Sequence, residues 1–98
     1  MSVPCDIELS GEAEGCGHWS WAASIYMGGR VKHHTVMLSF SDYDFWSRGT
    51  MPPGLVAEKA LHFAYDRDDK PALPPSFDLA RLRVVLPGVD EWMRGKAR

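Results

Sequence analysis

Apolar and polar residues alternate along two long segments of the chain that meet at a Gly-Gly pair, residues 28–29. A two-glycine loop favours a tight antiparallel turn, because glycine adopts positive φ without a side-chain clash. With the turn centred there, Trp21 lies opposite Val36, and the large apolar side chains gather on one face of the strand pair. A shift of one residue would mix the two faces. The pattern therefore predicts a β-hairpin over residues 18–40.

Shorter patterned segments flank this hairpin. Residues 6–10 alternate polar and apolar side chains and predict a short strand with one buried face. Residues 11–17 are rich in glycine and acid and predict a connection. After the hairpin, Ser41 is the predicted N-cap of a helix of about two turns that ends before Gly49.

The C-terminal half carries helical patterns separated by a loop. The proline pair at 52–53 opens a helix predicted over 53–66, whose apolar residues recur at helical spacing. Residues 67–76, with their prolines and charges, predict a loop. Asp78 is the predicted N-cap of a helix that ends before a Pro-Gly pair, and a last turn follows it. The residues that mark the buried side of this helix are Leu79, Leu82 and Leu86.

These elements predict a fold of the α+β class. A small antiparallel sheet, made of the hairpin 18–40 and the N-terminal strand, would be covered on one face by the short C-terminal helices. The 98 residues fit a single domain over 1–98. A domain of this length buries roughly two thirds of the surface that its unfolded chain exposes, so it needs no metal or disulfide to form a core.

The net charge and the composition indicate which kinds of partner are not expected. The formal net charge of −2 argues against a protein that binds phosphate backbones, so no nucleic acid is expected. The basic residues Arg94, Lys96 and Arg98 predict a solvated tail. The first nine residues lack the features of a signal peptide, and no apolar run is long enough to span a membrane. We therefore expect a cytoplasmic protein without a membrane anchor. Its cysteines, Cys5 and Cys16, would then be free thiols, although a bridge between them stays open.

The residues that could carry chemistry do not converge in the predicted fold. His33 and His34 are neighbours on one strand and point to opposite faces, which argues against a shared metal ion. The acidic run 66–69 lacks the spacing of an EF-hand loop. Cys16 lies two residues from His18, but a sequence neighbour on a strand is poor evidence for an activated thiol. No catalytic residue, metal ligand or cofactor is predicted, and a non-enzyme is favoured.

Two functions of different classes remain. The second face of the hairpin is small and lightly charged, and no helix is evidently available to cover it. It predicts a module that associates with itself, as a homodimer, or with another protein, although an ordinary solvated face has the same pattern. The residues of this face are Ser20, Ser24, Tyr26, His33, Thr35 and Met37. The alternative is a small-molecule-binding protein or minor enzyme with an aromatic pocket between sheet and helices, near Trp19, His34 and His62.

The order of motifs from residue 35 onward resembles a small bacterial protein family of unknown function. The matching segments are residues 35–39, a proline-started helix over 55–67, residues 76–79 and the helix stop at 86–89. The resemblance covers about residues 35–90 and consists of helix caps, apolar pairs and a stop. Asp68 and Asp69 take the place of an acidic patch expected in the family. The resemblance implies no activity, and no functional residue is transferred from it.

Overall fold

The computed structural model describes residues 5–67 and 69–94. Its strands are β1 (Asp6–Gly15), β2 (His18–Met27), β3 (Arg30–Ser39) and β4 (Ser76–Asp78). Its helices are α1 (Phe40–Ser47), α2 (Pro53–Tyr65), α3 (Leu82–Val85) and α4 (Val89–Met93), with a 3-10 turn at Leu79–Arg81 before α3. The strands form a four-stranded mixed sheet in the order β1-β2-β3-β4, and the short helices pack against it. The predicted α+β class is confirmed.

The hairpin of β2 and β3 has the register expected from its sequence. Trp21 pairs with Val36 and Ser24 pairs with His33. The turn glycines have φ of 52° and 85°, so both central residues are in the left-handed region that a type I′ turn requires. Trp21 and Val36 are 3% and 0% exposed. The alternation of side chains along the two strands thus produces one buried face and one open face.

Strand β1 is longer than predicted. It runs from Asp6 to Gly15, whereas the sequence pattern predicted a strand over 6–10 and a connection over 11–17. The register with β2 shifts between Ser10 and Ala13, at a bulge where Gly11 has a φ of 66°. The bulge absorbs the break in alternation, and pairing then resumes. The acidic residues beyond it are exposed, which is why this half of the strand has the composition of a loop.

Strand β4 was not predicted. Ser76–Asp78 pairs in parallel with β3, so the sheet is mixed where an antiparallel sheet was expected. Phe77 lies opposite Val36 and is buried, which places it on the core side of the sheet. Three residues are too few to establish an alternating pattern, and the preceding prolines obscure it.

Two helix predictions also change in detail. Helix α1 begins two residues earlier than expected, because Ser39 and not Ser41 is the N-cap and accepts a hydrogen bond from the Asp42 backbone N–H at 3.0 Å. The predicted N-cap Ser41 is exposed within the helix. The helix predicted over 78–86 is divided into a 3-10 turn and α3, although its predicted cap, Asp78, does accept a bond from the Ala80 N–H at 2.9 Å.

The core lies between the inner face of the sheet and helix α2. This helix presents a continuous buried stripe that includes Val56, Ala60 and Leu61, each with 0% exposure. Small alanines on the stripe allow the helix to lie close to the sheet. The leucines predicted to mark the buried side of the last helical segment, Leu79, Leu82 and Leu86, are all buried.

A charged cluster connects α1 to the two C-terminal helices. The buried Trp46 indole N–H donates to Asp90 Oδ1 at 2.7 Å, and Arg83 Nε donates to the same oxygen at 2.7 Å. Arg83 Nη1 also donates to Asp42 Oδ1 at 2.8 Å. Burial by itself would raise the pKa of the Asp90 carboxyl, but the hydrogen bonds from Trp46 and Arg83, with the Arg83 charge, hold that pKa below its ordinary value.

Because the pKa of Asp90 is lowered in the folded state, we expect the protein to lose stability in acid. A carboxyl whose pKa is lower in the folded state stabilises the fold above its unfolded pKa, near 4, and that contribution is lost as pH falls through the folded value. We expect Asp90→Asn to flatten the fall of the thermal midpoint between about pH 5 and pH 2. The loss at neutral pH should be about 1 kcal/mol or less, because a carboxylate that is 38% exposed is screened by solvent.

Thermal unfolding followed by circular dichroism across this pH range measures the effect. The matched control is Asp69→Asn, at an exposed position outside the cluster. Part of the acid dependence will persist in Asp90→Asn, because the pKa of Asp66 is also lowered: burial would raise it, but hydrogen bonds from the Cys5 backbone N–H and His62 outweigh this. An acid profile identical to that of the unaltered protein would contradict the role given to Asp90.

Candidate functional site

The open face is the side of the sheet opposite the core, and it carries all six side chains predicted for interaction. The register places them together, since each occupies the alternate position to a buried residue of β2 or β3. Three are exposed and three are half-buried. The exposed ones are Tyr26, His33 and Thr35, and the half-buried ones are Ser20, Ser24 and Met37. Their placement on one surface follows the sequence prediction.

Cross-strand hydrogen bonds fix several of these side chains. Ser24 Oγ lies 3.2 Å from His33 Nδ1, and the Tyr26 hydroxyl donates to Glu8 Oε1 at 3.2 Å. Tyr26 is paired with Val31, and these two side chains are 43% and 44% exposed. The end of the open face near the turn is therefore apolar, and its middle is small and polar.

The charge on the sheet is concentrated on strand β1. This edge strand carries four carboxylates, those of Asp6, Glu8, Glu12 and Glu14. If two β1 edges met in antiparallel pairing, carboxylates would face carboxylates, which is unfavourable. The middle of the open face, by contrast, carries no carboxylate along β2 and β3. Asp6 and Glu8 lie opposite Tyr26 and Ser24 and therefore project from the open face, so the carboxylates of this face are confined to its β1 side.

The residues predicted to line an aromatic pocket do not come together. Trp19 packs against Phe40 and Tyr43, with ring centroids 4.5 and 5.1 Å away. His62 lies on the outer side of α2, where its Nδ1–H donates to Asp66 Oδ2 at 2.8 Å. His34 lies in the core. These three side chains have separate surroundings, and none of them lines either of the two cavities found among the described residues. The aromatic pocket therefore stays a prediction.

The His34 side chain is buried, and both of its ring nitrogens form hydrogen bonds within the protein. It is 6% exposed, its Nδ1–H donates to the Pro74 carbonyl at 2.9 Å, and its Nε2 accepts from the Tyr65 hydroxyl at 2.8 Å. Its ring meets that of Phe77 edge to face, with centroids 5.2 Å apart. Burial lowers the pKa of His34, an effect that the Pro74 hydrogen bond opposes only in part. The neutral ring thereby joins β3 to the end of α2 and to the segment before β4.

The two cysteines are free and lie in different surroundings. Cys5 is buried, with its thiol 3.1 Å from the Tyr65 carbonyl, and burial raises its pKa. Cys16 is exposed in the turn between β1 and β2. No group of three or more His, Cys, Asp or Glu residues is arranged to hold a metal ion within residues 5–67 and 69–94. Of the other charged residues considered above, Asp68, Lys96 and Arg98 lie outside the described residues.

A groove that the sequence did not predict lies between the end of α1, the segment that follows it, the middle of α2 and the end of α4. Its volume is about 710 Å³. The aromatic and sulfur-containing side chains that line it are Phe45, Trp46, Met51, Trp92 and Met93. Trp46 is buried in its wall, whereas Phe45 and Trp92 are 41% and 43% exposed. We call this cavity the α1–α4 groove.

The charged side chains of the α1–α4 groove are all cationic. They are Arg48, Lys59 and Arg94. The Arg94 guanidinium lies over the Phe45 ring at 4.6 Å. In the part of the chain that the structure describes, none of the three has a carboxylate within 4.0 Å. Trp46 and Trp92 lie in helices that are far apart in the sequence, so no local pattern indicated that both line one cavity.

Comparison with known proteins gives no assignment. No protein-family model, no curated protein and no solved structure matches the chain. The resemblance over about residues 35–90 therefore remains a sequence observation. None of the described helices is long and apolar enough to cross a membrane.

Proposed function

We propose that this protein is a non-enzymatic interaction module that associates with a second copy of itself through the open face. The observation that carries the proposal is the uncovered side of β2 and β3, which no described helix packs against. It presents small side chains in the middle and larger contact groups, Tyr26 and Met37, towards the ends. We further propose the cytoplasm as its compartment, where Cys5 and Cys16 would stay reduced.

The dimensions of the open face suit a small dimer interface. The three long strands have ten residues each. At about 3.3 Å per residue and 4.8 Å between strands, they offer roughly 500 Å² per copy. Two copies would then bury about 1,000 Å² in total, which is at the lower limit for a specific interface. We therefore expect a weak dimer, populated at micromolar concentrations.

Symmetry and charge favour pairing of two identical faces. One patch that meets its own copy closes the assembly with two-fold symmetry. A two-fold axis parallel to the strands would place β1 of one copy over β3 of the other, which keeps the Asp6 and Glu8 carboxylates of the two copies apart. Ser20, Ser24 and Thr35 allow close approach of the backbones. Tyr26 and Met37 would supply the contact area that small side chains lack.

Ser24→Arg tests the proposal, because it places a bulky charge in the middle of the open face. We expect the dissociation constant of the dimer to rise at least tenfold, with little loss of monomer stability, since the hydrogen bond to His33 is exposed. Sedimentation velocity at tens of micromolar measures the mass. The unaltered chain should sediment at about twice 11.0 kDa, and the variant at 11.0 kDa.

The matched control is Ala72→Arg, which adds the same charge at an exposed loop position away from the open face. It should leave the dimer intact. Two results would contradict the proposal: a monomer of the unaltered chain at these concentrations, or a dimer that survives Ser24→Arg.

A further inference from the structure

The α1–α4 groove has the composition of a binding site for a small planar anion, and this inference is independent of the proposed dimer. We propose that it binds an aromatic carboxylate, with the rings held by Phe45 and Trp92 and the carboxylate held by Arg48, Lys59 and Arg94.

The ring-binding part of the proposal rests on exposed aromatic side chains inside a concave surface. Phe45 and Trp92 remain about two fifths exposed. The guanidinium groups of Arg94 and Arg83 lie over the Phe45 ring at 4.6 and 5.3 Å, so Phe45 offers a ligand mainly its ring edge. Trp92 contacts Phe63 on one side, with centroids 5.2 Å apart, and lines the groove. Aromatic rings that are partly exposed in a cavity present flat apolar surface to a ligand that is itself flat.

The anion-binding part rests on local charge. The chain has a net charge of −2, yet the groove collects three cations and no carboxylate lines it. In a concave site with apolar walls, such a cluster attracts an anion more strongly than the same charges on an open surface. The nearby Arg83 is different, because its guanidinium is occupied by Asp42 and Asp90. Among the described residues, the three groove cations form no ion pair within 4.0 Å, although the Arg94 charge also acts on the Asp90 carboxylate from a greater distance.

The size of the groove agrees with this ligand class. A volume of about 710 Å³ lies within the roughly 300–1,000 Å³ typical of small-molecule sites. A two-ring carboxylate is small enough for this volume, and the aromatic and cationic side chains line the same cavity. Because the ligand is small, a dissociation constant near the millimolar range or tighter is expected.

Three probes separate the contribution of the aromatic rings to binding from that of the carboxylate. 2-Naphthoate carries the aromatic rings and the carboxylate, 2-naphthalenemethanol carries the rings without the carboxylate, and decahydro-2-naphthoate carries the carboxylate on two saturated rings. Each is titrated into the ¹⁵N-labelled full chain, with amide and indole resonances followed by NMR. We expect saturable shifts centred on Trp92, Arg94 and the end of α1 for 2-naphthoate, and binding at least tenfold weaker for the other two probes.

Charge-removing variants identify the anion contacts. Lys59→Met should weaken 2-naphthoate binding several-fold, whereas Lys32→Met, at an exposed strand position outside the groove, should leave it unchanged. Lys59→Met combined with Arg94→Met should abolish the preference for 2-naphthoate over 2-naphthalenemethanol. Ser24→Arg should bind 2-naphthoate as the unaltered chain does, which separates this test from that of the dimer. Equal affinity for the acid and the alcohol, shifts located elsewhere, or no shifts up to about 5 mM would overturn the proposal.

Discussion

Trp21→Ala will lower the free energy of unfolding by about 3–5 kcal/mol, the range for large aromatic truncations in protein cores. Trp21 is 3% exposed and lies opposite Val36 on the inner face of the sheet. Its indole N–H donates to Glu12 Oε1 at 3.0 Å, so the substitution removes a hydrogen bond as well as packing. Denaturant unfolding gives the free energy directly.

Trp92→Ala provides the control for this substitution. The same side chain is removed, but Trp92 is 43% exposed, and we expect a cost of about 1 kcal/mol or less. Trp21→Phe should recover much of the stability, because it keeps a ring on the inner face. A Trp21→Ala protein with an unchanged denaturation midpoint would mean that the inner face of the hairpin is not the core.

Leu82→Ala will cost about 2–5 kcal/mol, as for buried leucines elsewhere. Leu82 is fully buried at the start of the four-residue helix α3. So short a helix has little stability of its own and depends on tertiary packing. The loss of this one side chain should therefore destabilise the contact of the C-terminal segment with the core. Thermal and denaturant unfolding measure the change.

Val84→Ala is the neighbouring control, since Val84 is 80% exposed on the same helix. Its effect should lie within about 0.5 kcal/mol. Equal losses from Leu82→Ala and Val84→Ala would show that the effect comes from helix propensity and not from burial.

The hairpin could be predicted because two independent signals agree on it. The Gly-Gly turn gives the register, and alternation along both strands gives the same register, so that Trp21 and Val36 must face one way and Ser24 and His33 the other. Helix α2 was equally clear, because proline marks its start and small apolar residues recur at helical spacing. For both elements, the local signals and the hydrophobic periodicity agree with the tertiary structure, so the sequence pattern alone predicts them.

The elements that sequence patterns missed depend on distant partners. The second half of β1 is glycine- and acid-rich, and only pairing with β2 beyond the bulge makes it a strand. Strand β4 has three residues, and its parallel pairing with β3 connects positions about forty residues apart. Neither strand segment shows an alternation of apolar and polar residues, so sequence periodicity could not predict either of them.

The two candidate sites differ in the same respect: one follows from a local sequence pattern, and the other depends on residues that are far apart in the chain. The open face follows from strand alternation, and its six residues could be named in advance. The α1–α4 groove could not, because Phe45 and Trp92 come from helices far apart in sequence. For the pocket predicted near Trp19 and His34, the structure shows that the two rings contact different aromatic neighbours, Phe40 and Phe77, which the sequence pattern did not indicate.

Intermolecular contacts across the open face test the central proposal most directly. ¹³C,¹⁵N-labelled chain is mixed with unlabelled chain, and isotope-filtered NOEs between copies are recorded at a concentration where sedimentation gives a dimer. We expect NOEs that join the Tyr26 ring and the Val31 and Met37 methyl groups of one copy to the open face of the other. NOEs confined to the β1 edge or to the α1–α4 groove, or none between copies, would contradict association through this face.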